Sequence, residues 1–104
     1  FLELFQADAI KAYFEKSLEV YNKSLGIYTA INDPLHYSYV QKSIGDLYVL
    51  LANVEEKSEN LQQAISFYEN ALLVLTREKY PADYEEVEQA KKNAQIKLNV
   101  VEKK

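Results

Sequence analysis

The sequence predicts an all-α protein of about four helices, and three observations carry that expectation. Only two Gly and two Pro occur in 104 residues, too few for the turns of a β meander. Apolar residues recur at helical spacing along nearly the whole chain. Helix-start signals stand at Asp33-Pro34 and again at Pro81, where a proline at the first helical position loses no needed N–H.

Ile10, Phe14, Leu18, Tyr21, Leu25 and Tyr28 follow one another by three or four residues, so 1–31 reads as one long helix. In "NDPLH", Asp33 supplies an N-cap oxygen and a second helix runs over 34–54. Its stripe is Tyr37, Val40, Ile44, Leu47, Tyr48, Leu51 and Val54. After the polar hexamer EEKSEN a third helix spans 60–78, with Leu61, Ala64, Ile65, Tyr68, Ala71, Leu72 and Leu75 on one face. Ser58 or Asn60 can cap it, and Asn60 with Gln63 has capping-box spacing. The last helix occupies 81–103, with Asp83 and Glu86 as another possible box and Tyr84, Val87, Ala94, Leu98 and Val101 as its narrow stripe. A loop of about six residues between the two central helices folds them back as an antiparallel hairpin. The length suits one domain over 1–104, with one core.

Composition excludes several functions. With 16 acidic and 12 basic side chains the net charge is −4, which works against general attraction to nucleic acid or an anionic membrane. No cysteine is present, so disulfide scaffolds, zinc knuckles and thiol nucleophiles are ruled out. No run approaches the roughly 18 apolar residues of a membrane span, and the expected setting is cytoplasmic. The chain opens on Phe1, which reads as a piece of a longer protein. His36 is the sole histidine, and Glu85, Glu86 and Glu88 lack the Glu-x-x-His partners of a di-iron bundle. Neither Gly26 nor Gly45 has the glycine neighbours of a phosphate loop. The expectation is a non-enzyme without cofactor or metal.

The two prolines lie 47 residues apart, and the chain repeats at that period without a gap. The shift pairs Tyr21 with Tyr68, Leu25 with Leu72, Thr29 with Thr76, Pro34 with Pro81, Tyr37 with Tyr84 and Val40 with Val87. It also pairs Leu51 with Leu98, Val54 with Val101 and Glu55 with Glu102. The stripe residues and the interhelix proline coincide in register while exposed positions drift.

Here "IGDLY" resembles the L-G-x-x-Y of the first helix of a tetratricopeptide repeat, and "AISFYENAL" resembles the A-x-x-x-F/Y-x-x-A of its second. The period is longer than the usual 34 residues, as in long-period variants. Gln41 replaces a frequent aromatic, and Ser17 and Ser24 replace typical alanines. The resemblance implies stacked antiparallel hairpins, a fragment of an α-solenoid. It also explains Gly45: a helical glycine costs about 1 kcal/mol relative to Ala, offset where two helices approach closely and an aromatic fills the groove between them. Lys91 and Lys92 stand where the earlier unit has Ile44 and Gly45, so the last helix reads as a C-terminal cap.

In that family the inner face of the first helix of each hairpin lines a concave groove for an extended peptide or a partner helix. The resemblance places Tyr39, Lys42, Asp46 and Val49 there, with Glu86, Gln89, Asn93 and Ile96 as their equivalents on the last helix. Lys42 matches a lysine that clamps peptide carboxylates in one subclass, but Asp46 replaces its asparagine and would repel such a ligand. A partner segment with an apolar anchor and a basic residue fits better; the bland counterpart is an ordinary solvated face. The competing expectation is self-association through the apolar N-terminus Phe1, Leu2, Leu4 and Phe5, giving a homo-oligomer. A third is a helical regulatory domain of a longer enzyme.

Overall fold

The computed structural model describes residues 2–103, with side chains from Gln6 onward. It is all-helical: α1 (Leu2–Ile27), α2 (Pro34–Ala52), α3 (Lys57–Val74) and α4 (Pro81–Glu102) pack on one another in chain order. No strand occurs among the described residues. The Cα atoms fill a slab of 46 × 31 × 18 Å, and the most extensive contact joins α2 to α3. The apolar N-terminal side chains Phe1, Leu2, Leu4 and Phe5 lie outside the described ones.

Each central helix buries the stripe its periodicity marks. Val40, Ile44, Leu47 and Leu51 of α2 are buried, and Leu61, Ala64, Tyr68 and Ala71 of α3 form one buried cluster with Ala52, Leu75, Val87, Ala94 and Leu98. By contrast α1 buries no described side chain fully; Ile10, Phe14, Leu18, Tyr21, Leu25 and Tyr28 are all half-covered. Phe14 meets Tyr48 of α2 edge-on at 5.0 Å, and Lys11 reaches Glu55 at 3.0 Å.

The start of α2 is as expected. Asp33 Oδ1 accepts from the His36 amide at 3.1 Å, with Pro34 next in the chain, and that backbone bond, followed by the His36 ring, holds the Asp33 carboxyl below the usual carboxylate range. The starts of α3 and α4 differ from expectation. Helix α3 begins three residues early, at Lys57, after Glu56 in the left-handed region (φ 42°), and no side chain caps it. Asn60 therefore sits inside the first turn and is buried; its amide donates to the Glu55 carbonyl at 2.9 Å. It ties down the preceding turn in place of capping the helix. Tyr80, with no capping side-chain bond, precedes α4, and neither proposed capping box forms.

At Gly45 the Tyr68 ring of α3 lies directly against the backbone of α2. A Cβ there would stand 2.6 Å from Tyr68 Cε1 and 2.9 Å from Cδ1, inside any tolerable contact. The ring cannot swing away cheaply, because Tyr68 is 2% exposed and held at its hydroxyl. Gly45→Ala is expected to destabilise the fold by about 1–3 kcal/mol through overpacking, against the roughly 1 kcal/mol that helix propensity alone would gain. Urea unfolding followed by circular dichroism checks the sign. A stabilised Gly45→Ala variant would show that the ring yields.

Candidate functional site

The hydroxyl of Tyr68 starts a polar chain that crosses three helices. Buried within the α2/α3 contact, it needs an acceptor, and it donates to Asp46 Oδ1 at 2.5 Å. Residue 46 follows the glycine, so the helical turn that aims Gly45 at α3 leaves Asp46 on the rim. Asp46 Oδ2 meets Lys42 Nζ at 3.0 Å, one turn back on α2, and Lys42 also reaches Glu86 of α4 at 3.5 Å. Lys42 is three-quarters buried for a charged side chain. Burial pulls its ammonium down, but Asp46 and then Glu86 outweigh that and leave it above the ordinary lysine range. Burial raises the Tyr68 phenol far above the usual tyrosine range, and the Asp46 carboxylate raises it further.

Lys42 and Asp46 line one wall of a cleft of about 140 Å³ between α2 and α4. Tyr39, 72% exposed, stands at its mouth with Leu35 and Ser43. Asp83 and Glu86 form the opposite rim, and Ser38, Leu75 and Val87 are its buried lining. Of the residues expected on the groove face, Tyr39, Lys42, Asp46 and Glu86 are thus brought together. Val49 is not among them; it is half-buried and packs against the core cluster. Gln89 and Asn93 lie further along α4, exposed and hydrogen-bonded to each other at 3.0 Å.

Leu35 and Asp83 were not expected on the groove face from the sequence, where Asp83 stood only as part of a possible capping box. Each lies one turn before a singled-out residue, Tyr39 and Glu86 respectively, so extending the two rows toward the helix starts would have found them. Leu75 and Val87 belong to the core stripes, and their second role as cleft lining has no sequence signal.

A second hollow, of about 300 Å³ and mostly apolar, lies between the C-terminal halves of α2 and α4. Ala52, Leu61, Ile96, Val100 and Val101 line it, with Lys57 and Lys97 at the edge. Ile96 and Val100 are exposed, one turn apart on α4.

No three His, Asp or Glu side chains among the described residues converge as a cation cage. His36 bonds Asp33 at 2.8 Å and stacks on Tyr28 at 4.6 Å. No helix among the described residues is long and apolar enough to cross a membrane. Set against models of known families, curated proteins and solved structures, the chain matches none.

The raised phenol makes an alkaline signature. The unfolded chain releases the Tyr68 proton near pH 10 while the folded chain keeps it, so stability from this group is complete below pH 10 and falls as pH rises beyond it. Tyr68→Phe is expected to lose about 1.5–3 kcal/mol at pH 7, a hydrogen bond to a charged acceptor. The gap between wild type and variant should narrow above pH 10. Urea unfolding from pH 7 to 11 tests this, and a gap constant across that range would contradict it.

Proposed function

We propose that this chain is a non-catalytic protein-binding module. It is a tetratricopeptide-like stack of helical hairpins, a short solenoid piece, whose groove between α2 and α4 takes an extended segment of another protein. The supporting observation is the convergence of Tyr39, Lys42, Asp46 and Glu86 from two helices on one cleft, with an apolar hollow at the other end of the same helix pair.

At the cleft, size favours a peptide side chain over a metabolite. Small-molecule sites enclose about 300–1,000 Å³, whereas the cleft holds about 140 Å³, room for a single side chain. From Tyr39 to Ala52 the rise along α2 is about 20 Å, the span of about six extended residues. Asp46 is engaged by both Tyr68 and Lys42 and Glu86 by Lys42 at 3.5 Å, so the exposed Asp83, with the exposed Glu86 beside it, is placed to meet a basic side chain. Ile96 and Val100 receive an aliphatic one. The fitting partner segment carries Lys or Arg near one end and Leu, Ile or Val near the other.

Selection from a random dodecapeptide library tests the reading. Enriched peptides should show that basic-to-aliphatic spacing, and their affinity should fall about tenfold, roughly 1.4 kcal/mol, on Tyr39→Ala or Glu86→Lys. Both residues are exposed, so neither change disturbs the core. Failure to enrich any sequence, or binders indifferent to both substitutions, would remove the groove as the working surface.

A further inference from the structure

The outer face of α1 is uncovered, and the internal repeat says what kind of element fits it. Shifting by 47 residues places Ser17 on Ala64, Val20 on Phe67, Tyr21 on Tyr68, Lys23 on Asn70 and Ser24 on Ala71. On α3 this is the face turned to α2: Phe67 stacks on Tyr48 at 5.5 Å, Tyr68 lies over Gly45, Asn70 donates to Gln41 at 3.3 Å, and Ala64 and Ala71 are fully buried. On α1 the same positions are less covered: Val20 and Lys23 are exposed, and Ser17, Tyr21 and Ser24 only half-buried. Tyr13, Val20 and Ile27, spaced by seven, are 57%, 60% and 65% exposed, and Lys16, Ser17, Val20 and Tyr21 line a hollow in the surface.

We propose that this face docks a helix of another protein, seated on α1 as α2 is seated on α3. The inference concerns a surface separate from the α2/α4 groove and goes beyond that reading. Three features of the occupant follow from the α2/α3 contact. A glycine lies over the Tyr21 ring, as Gly45 lies over Tyr68. An aromatic or aliphatic side chain three positions later meets Val20, as Tyr48 meets Phe67. Four positions before the glycine, where Gln41 meets Asn70, stands a carboxylate, because α1 has Lys23 at that place; Lys16 lies two turns back along the same edge. Lys23 holds only an exposed contact to Glu19 at 3.4 Å, worth little in water.

Charge and shape disfavour a second copy of this chain. Two α1 faces paired antiparallel about Val20 set Lys16 of one copy against Lys23 of the other, a like-charge edge. Helix α4 of another copy, the α2 equivalent, has Lys92 where Gly45 stands, and that side chain would occupy the space of the Tyr21 ring.

The probe is a fluorescein-labelled peptide with the sequence of residues 34–54 carrying Gln41→Glu, titrated with the whole protein by fluorescence anisotropy. Saturable binding is expected, weaker by about tenfold or more when the protein carries Val20→Asp or the peptide Gly45→Leu, and several-fold weaker with Gln41 restored. Val20 is exposed, and circular dichroism confirms that its variant folds. Tyr39→Ala and Glu86→Lys should leave this binding unchanged, which separates it from the groove. No saturable binding, or binding indifferent to Val20→Asp, overturns the proposal. A dimer of the protein alone that Val20→Asp abolishes assigns the face to a second copy and overturns it too.

Discussion

The ring of Tyr68 occupies the space that a side chain at residue 45 would fill, and the rest of the structure is arranged around that contact. Close approach of α2 and α3 buries an aromatic whose hydroxyl then requires a partner. The neighbouring residue, Asp46, provides it. The carboxylate in turn holds Lys42, and Lys42 reaches α4 through Glu86. A packing constraint in the core is thereby continued as an ordered electrostatic pattern at the surface. Among the described residues no buried side-chain nitrogen or oxygen lacks a hydrogen-bond partner, so the polar chain adds definition without an uncompensated buried group.

Stability is unevenly spread as a consequence. Helix α3 is covered on both sides by α2 and α4 and contributes five of the buried core residues, Leu61, Ala64, Tyr68, Ala71 and Asn60. Helix α1 touches mainly α2 and has no fully buried described side chain. Elements with little buried apolar surface open at lower free energy than the core. The first helix is therefore the part of the fold whose order depends most on what else packs against it, and the cleft, built on α2, α3 and α4, does not depend on it.

The sequence makes the helices legible because burial here follows a period. Every stripe residue of α2 and α3 named from spacing is buried or half-buried, and the Asp33-Pro34 start is where capping chemistry puts it. Boundaries were less legible. Asn60 looks like an N-cap because its side chain bonds backbone in either case, and only the fold shows that it donates to the carbonyl of the turn before it, with Glu56 in a left-handed conformation. In the candidate site, Tyr39, Lys42, Asp46 and Glu86 could be grouped by helical offset and the internal repeat. Val49 was misplaced because offset alone cannot separate a rim position from one that the neighbouring helix half covers. The engagement of Asp46 by Tyr68 joins residues 22 apart in the chain, and no local pattern encodes it.

The two outer helices answer the same structural question in opposite ways. A helix that receives another at this spacing needs a small residue where an aromatic ring must pass, or the ring itself with small neighbours. Helix α4 has Lys91 and Lys92 at the critical places; Lys91 turns back to Glu69 of α3 at 3.4 Å and Lys92 is exposed, so charge occupies the surface that a further helix would need. Helix α1 retains Tyr21 flanked by Ser17 and Ser24, with Val20 beside them, the arrangement that on α3 is filled by α2. Lysine desolvation makes the first end costly to cover, and exposed apolar area makes the second favourable to cover. The α1 end thus keeps the shape of a surface that has a helix as its complement.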